Sequence, residues 1–288
     1  MTDPVGTPPR IGFVGLGAMG APMAERLRGG GHQVSLWARR PQTLERFPEP
    51  GYSRAKTLED LGAASDVVCV CVVGDADVRE VVAGPSGLLS GSAPDTAILV
   101  HSTVAARTCR ELAETASGRG VAVLDAPVSG GPGAAAAGTL AVMVGGDRAV
   151  FDRLRPVLGL LGRVVRYMGP VGAGEAMKVL NNALAFANGR LASIAVENAV
   201  RLGLELGAAI DVLGAGSARS SALDVIVHQY LPDPSWGERT KYITAKDTEL
   251  YAGLVEAAGL GADELLRLAR QRVEFAGPRL GRLSADTD

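Results

Sequence analysis

Lys178 is the residue on which chemistry is most readily built. It lies in G-A-G-E-A-M-K-V-L-N-N (172–182), where Lys178, Asn181 and Asn182 fall at i, i+3 and i+4. On a helix that spacing puts Lys178 and Asn182 on one face, about one turn apart. An ammonium beside an amide can protonate and orient a carbonyl oxygen. The neighbours Ala176, Met177, Val179, Leu180, Ala183 and Leu184 are apolar. Burial on such a face predicts a depressed lysine pKa, suited to acid–base work near neutral pH. A lysine snorkelling from a solvated face has the same spacing, so the pattern alone leaves both readings open.

Two further segments carry polar chemistry. D-A-P-V-S-G-G-P-G (125–133) follows an apolar run. Ser129, Gly130 and Gly131 there offer one hydroxyl and exposed N–H groups, a concave turn that suits a carboxylate. A plain strand-to-loop turn explains the same residues equally well. Lys246-Asp247 reads as the opening of a helix after the Pro232–Trp236 loop. At a helix start such a pair is ordinarily a solvated cap.

Near the start of the chain stands R-I-G-F-V-G-L-G-A-M-G-A-P-M-A (10–24). Gly15, Gly17 and Gly20 form G-x-G-x-x-G between a strand-like run, Ile11–Val14, and a helix-like run, 18–27. In that setting the glycines make a dinucleotide site. Gly15 allows the tight turn, Gly17 lets backbone approach a pyrophosphate, and Gly20 permits close helix–strand packing. Leu16, Ala18 and Met19 complete the loop, and the helix N-terminus offers N–H groups to phosphate. A dinucleotide site that prefers NAD usually has an acid about 20 residues past the glycines. No acid occurs between Glu25 and Glu45, and the second strand-like run ends in Trp37-Ala38-Arg39-Arg40. Two guanidinium groups fit a 2′-phosphate dianion, which favours NADP, with NAD as the alternative. Solvated loop arginines are the competing explanation.

The elements that position these residues follow from periodicity. Strand candidates are Ile11–Val14, Gln33–Trp37, Val67–Val73, Ala97–His101 and Val121–Asp125, with Val142–Val144 and Val164–Met168 extending the sheet. Helical stretches such as Ala105–Ser117 and Asp147–Leu161 lie between them. Continuous apolar strands alternating with helices predict a doubly wound, mostly parallel α/β sheet covered on both faces. Beyond Gly169-Pro170 the pattern becomes all-helical. A long Ala-rich helix is expected over 173–202, then helices over Ala208–Gly214, Ser221–Tyr230, Ala245–Ala258 and Ala262–Phe275. The expected organisation is a dinucleotide-binding domain over 1–168 and an all-α domain over 169–288.

Composition narrows the partners. The net charge is −2 over 288 residues, so nothing points to nucleic acid or a membrane surface. Met1–Pro9 lacks the apolar core of a signal peptide, and no run is long enough to span a bilayer. A cytoplasmic protein is expected. Of three cysteines, Cys69 and Cys71 alternate within V-V-C-V-C-V-V and read as small core residues on one strand face. No His, Cys and carboxylate cluster has metal-ligand spacing, so no metal is expected.

Taken together these segments resemble the β-hydroxyacid dehydrogenase family, whose members include 3-hydroxyisobutyrate dehydrogenases, tartronate semialdehyde reductases and 6-phosphogluconate dehydrogenases. The resemblance rests on Gly12–Ala24, on Asp125–Gly133 with G-T-L-A-V-M-V-G-G at 138–146, on Gly174–Asn182, and on Lys246-Asp247. It implies a Rossmann-type domain followed by a helical one. It implies hydride transfer between a nicotinamide and a small 3-hydroxy acid or its aldehyde acid, with Lys178 as general acid/base. Ser129, Gly130 and Gly131 would hold the substrate carboxylate, and Asn182 the reacting oxygen. Lys246 would lie by cofactor and substrate, Thr103 would contact the cofactor, and Val72 and Val73 would line its adenosine side. A homodimer or homotetramer is implied as well.

The sequence departs from the family pattern at several points. His101 stands where an acid usually precedes Ser-Thr, and Val73 replaces a proline. The common Asn-Arg-Thr/Ser reads Ala38-Arg39-Arg40. An aromatic before Lys246-Asp247 is matched only by Trp236 or Tyr242. An imine reductase of similar fold is the alternative reading. Such enzymes typically lack the lysine at the position of Lys178.

Overall fold

The computed structural model describes residues 8–48, 50–233 and 235–274. The chain divides into two compact units, Met1–Lys178 and Val179–Asp288.

In the first unit, β1 (Ile11–Val14), α1 (Gly20–Gly29) and β2 (Val34–Trp37) lead through a 3₁₀ turn to β3 (Ser53–Arg54) and α2 (Leu58–Ala63). Then come β4 (Val67–Val70), α3 (Asp75–Ala83), α4 (Leu88–Gly91), β5 (Ala97–Val100), α5 (Ala106–Ser117) and β6 (Ala122–Asp125). The unit continues with β7 (Val128–Ser129), α6 (Gly131–Ala137), β8 (Leu140–Gly145), α7 (Arg148–Leu161) and β9 (Gly162–Gly169). The strands form one nine-stranded sheet in the order β3-β2-β1-β4-β5-β6-β8-β7, with β9 also paired to β8. Pairing is parallel from β3 to β6. It is antiparallel where β8 meets β6 and β7.

Alternation along the strands explains why both faces are covered. Ile11, Phe13, Val67, Cys69, Ala97 and Leu99 enter one core cluster, shared with Met23 and Leu27 of α1 and Phe151 and Leu158 of α7. Val14, Val68, Val70, Ile98 and Val100 enter a second, with Val78 and Val82 of α3 and Leu112 of α5. Successive side chains point to opposite faces, so a strand buried on both sides must be apolar throughout. Cys69 lies in the first core and Cys71 packs against it, with burial raising the thiol pKa of both.

The expected strand Val67–Val73 ends at Val70. Its partner β1 turns away at Gly15. Cys71 N then donates to Val14 O at 2.8 Å and Val72 N to Ser102 Oγ at 2.8 Å, so Val72 and Val73 lie on a loop.

The second unit is helical. The helix α8 (Ala173–Arg201) runs across the division between the units, and α9 (Leu206–Ala215), α10 (Ser221–Val225) with a π turn, α11 (Trp236–Ala257) and α12 (Glu264–Glu274) follow. Val179 and Ala183 pack with Tyr251, Val255 and Ala269, while Val196 packs with Leu223, Ile226 and Tyr230. Phe275 and Pro234 lie outside the described residues.

Lys246-Asp247 does not open a helix. α11 begins at Trp236, so the pair lies in mid-helix. Gly237 and the β-branched Thr240, Ile243 and Thr244 weaken the helical signal of that first half. Packing overrides it. A Cβ on Gly237 would lie 2.7 Å from Tyr230 Oη, so the missing side chain lets α11 approach closely.

Candidate active site

The loop between β1 and α1 uses its glycines in distinct ways. Gly15 has φ +92°, and a Cβ there would lie 2.0 Å from Cys71 O. A Cβ on Gly20 would lie 1.8 Å from Gly15 O. Both positions are closed to a side chain by neighbouring backbone. Gly17 is exposed, and a Cβ there would meet nothing within 4 Å. Open space at this glycine is what an incoming pyrophosphate requires. Met19, which precedes α1, makes no side-chain cap, so the first-turn N–H groups are not capped by it. Leu16 is buried and anchors the loop, while Ala18 is exposed and Met19 half-buried. The loop therefore fits a dinucleotide.

Around this loop, Arg39 and Arg40 are exposed at the end of β2. Arg39 donates to Asp77 of α3 at 2.6 Å. Arg39 is 72% exposed and Asp77 30%, so solvent screens the pair and makes it a weak tether. Val73 is 65% exposed and Thr103 half-buried, the latter just past β5.

His101 closes β5 and is buried. Its Nδ1 lies 2.8 Å from Ala126 O, and a carbonyl can only accept, so Nδ1 carries the proton. Nε2 has no partner among the described residues. Burial pushes this imidazole down to about 4. In the unfolded chain a histidine titrates near 6.5 and takes up a proton before the folded state does. Its contribution is thus fully present above about 6.5 and lost as pH falls through about 4, at most about 3 kcal/mol. Denaturant titrations of wild type and His101→Gln check this. The stability difference between them should shrink as pH falls across that window, and a constant difference refutes it.

Ser129 ends β7, paired with Ala141 of β8. Gly130 and Gly131 follow at φ +134° and +74°, conformations that favour glycine. A Cβ on Gly130 would lie 2.7 Å from Ala134 Cβ, whereas one on Gly131 meets nothing within 4 Å. The turn is packed on one side and open on the other.

Lys178 is buried on α8, only 8% exposed. A snorkelling lysine would be far more accessible. In the first turn of the same helix, Glu175 Oε2 accepts from Val104 N at 3.3 Å, just past Thr103.

Within the second unit, Asn182, Lys246 and Asp247 come together. Asp247 Oδ2 accepts from Asn182 Nδ2 at 2.7 Å, and Asp247 Oδ1 lies 3.2 Å from Lys246 Nζ. Asn182 Oδ1 accepts from Asn181 Nδ2 at 3.0 Å, which fixes the amide orientation. An amide nitrogen carries two hydrogens, so Asn182 keeps one beyond the Asp247 bond. Asp247 is buried and organises this group, although its sequence context reads as a solvated cap. The signal that could have found it is its place beside Lys246. Among the described residues no three of His, Cys, Asp and Glu group as metal ligands. None of the described helices is long and apolar enough to cross a membrane.

A doubly covered, mostly parallel sheet with this glycine loop defines a dinucleotide-binding α/β protein. Comparison with known proteins makes the class specific. The family model for the NAD-binding domain of 6-phosphogluconate dehydrogenase matches residues 10–169. That for the NAD-binding region of NADP-dependent 3-hydroxyisobutyrate dehydrogenase matches 172–288. A 3-hydroxyisobutyrate dehydrogenase of Pseudomonas aeruginosa is 34% identical over 95% of this chain and 89% of its own. An NAD-dependent L-serine dehydrogenase of the same organism is 36% identical over 78% of this chain and 74% of its own. The solved Mycobacterium tuberculosis 3-hydroxyisobutyrate dehydrogenase with L-serine superposes with TM-score 0.79 at 31% identity, covering 94% of each chain. The chain belongs to the β-hydroxyacid dehydrogenase family and is an oxidoreductase of that family.

Proposed function

We propose that this protein transfers hydride between NADP and a small 3-hydroxy acid or its aldehyde acid, with Lys178 as general acid/base. The observation that carries the reading is the buried ammonium of Lys178 on α8, with Asn182 one turn further along the helix. A bound nicotinamide supplies the hydride in reduction and receives it in oxidation. In reduction Lys178 Nζ gives a proton to the substrate's carbonyl oxygen, and in oxidation it takes the hydroxyl proton back. The amide of Asn182 donates to that same oxygen, held in place by Asp247. Ser129, Gly130 and Gly131 bind the substrate carboxylate at the open side of their turn. Lys246 adds a positive charge beside cofactor and substrate. Gly15 to Gly20 receive the pyrophosphate, with Val72, Val73 and Thr103 along the cofactor.

The preference for NADP rests on charge. Arg39 and Arg40 offer guanidinium groups where an NAD-preferring chain usually carries an acid. Arg39→Ala should therefore weaken NADPH binding far more than NADH binding. Titration with both cofactors decides it, and equal losses reject the 2′-phosphate role. The NAD-dependent L-serine dehydrogenase among the relatives makes this comparison the necessary one. We place the protein in the cytoplasm, as a homodimer or homotetramer. Leu180, Leu184 and Leu191, exposed along α8, support self-association.

The function itself is tested by NADPH oxidation against a panel of short aldehyde acids, with NADH and cyclic imines alongside. Turnover of an aldehyde acid with NADPH supports the reading. Activity on imines alone would make the protein an imine reductase and withdraw the carboxylate assignments.

A further inference from the structure

Asp125 has no part in the chemistry above, yet its surroundings are built around it. It ends β6 and is fully buried. Its Oδ1 accepts from Gly172 N at 2.7 Å and its Oδ2 from Glu175 N at 2.8 Å. The Gly174 backbone lies close by as well and favours the carboxylate. These N–H groups belong to the start of α8, where a helix leaves its amides without internal partners. A carboxylate there satisfies them and complements the positive end of the helix. Two glycines make room for it. A Cβ on Gly174 would lie 2.8 Å from Asp125 Oδ2, and one on Gly145 would lie 2.6 Å from Oδ1.

Two parts of the proposed chemistry depart from this one residue. Beyond Glu175, α8 reaches Lys178 at the next turn. In the other direction, the chain after Asp125 passes Ala126, whose carbonyl accepts from His101 Nδ1, and runs on to Ser129, Gly130 and Gly131. We propose that Asp125 is a positioning residue of the reaction: it locks the start of the Lys178 helix to the strand end from which the carboxylate-binding turn emerges. The proton donor and the substrate cradle are thereby held in one fixed relation. This rests on the functional reading above. Buried polar groups are costly to unpair, so the anchor is stiff. Asparagine has nearly the same shape but would turn an NH₂ toward a backbone N–H, donor against donor.

The test uses the full chain as wild type, Asp125→Asn, Lys178→Ala and the double variant. Asp125→Asn should lower kcat/KM for the aldehyde acid by about 10²-fold, the scale of a small misplacement of reacting groups. NADPH affinity should be unchanged, which shows that the nucleotide domain is intact. In the double variant the losses should not add, because Asp125 acts through Lys178. Amide hydrogen exchange at Gly172, Gly174 and Glu175 should accelerate. Wild-type kinetics in Asp125→Asn, additive losses, or unaltered exchange each overturn the proposal. NADPH affinity lost in parallel also overturns it, making Asp125 a residue of the fold at large. Wild-type protein that turns over no aldehyde acid fails the functional reading instead. In that case exchange at the three amides still decides whether the anchor exists.

Discussion

Replacing Lys178 with alanine should lower kcat by about 10²–10⁴-fold, the usual scale for a lost general acid/base. NADPH binding should change little, because the glycine loop and the arginines at the end of β2 are untouched. The contrast between the two readouts is the point. Lys178 is buried, so its removal also takes packing away, and a fall in stability alone would mean a structural lysine. A fall in turnover with intact cofactor binding would mean a proton donor. A small external amine added to Lys178→Ala offers a further check, since it can restore a missing ammonium but not a missing fold. Near-normal turnover in the variant would sink the assignment.

The second large effect lies in the glycine loop, where two alanine substitutions should separate folding from binding. At Gly15 a methyl group would strike Cys71 O from 2.0 Å at a φ of +92°. Gly15→Ala should therefore cost stability, on the order of 1–3 kcal/mol or more. At Gly17 the same methyl group meets nothing within 4 Å. Gly17→Ala should leave the thermal transition where it is and weaken dinucleotide binding by about 10- to 100-fold, the cost of a 1–3 kcal/mol overlap with the ligand. Calorimetry with and without NADPH reads both quantities. A Gly17→Ala protein that binds normally would show that the pyrophosphate does not pass there.

Much of the first unit was legible because its signals are local. A strand buried on both faces must be apolar at every position, and Ile11–Val14, Val67–Val70 and Ala97–Val100 are. The helical stretch expected over Asp147–Leu161 is α7, capped by Asp147, whose Oδ1 accepts from Val150 N at 2.9 Å. The short strands β3 and β7 escaped because two residues carry no readable alternation. The first half of α11 escaped because its residues are weak helix formers stabilised by packing on Tyr230. The helices expected over 173–202 and Ala208–Gly214 appear as α8 (Ala173–Arg201) and α9 (Leu206–Ala215), since apolar and Ala-rich runs without proline propagate readily.

By itself, the sequence determined which residue types were available for chemistry and which short segments would be strands, turns and helices. The glycine spacing, the two arginines and the Lys178–Asn182 interval are all matters of a few neighbouring residues. Only the tertiary structure decided which carboxylates are buried and which groups they hold. Asp247 meets Asn182 across 65 residues of chain, and Asp125 meets Gly172 and Glu175 across 47 and 50. Such hydrogen bonds depend on how distant strands and helices pack. They leave no periodicity or spacing in the chain, so a buried aspartate that anchors a helix looks in sequence like any solvated one.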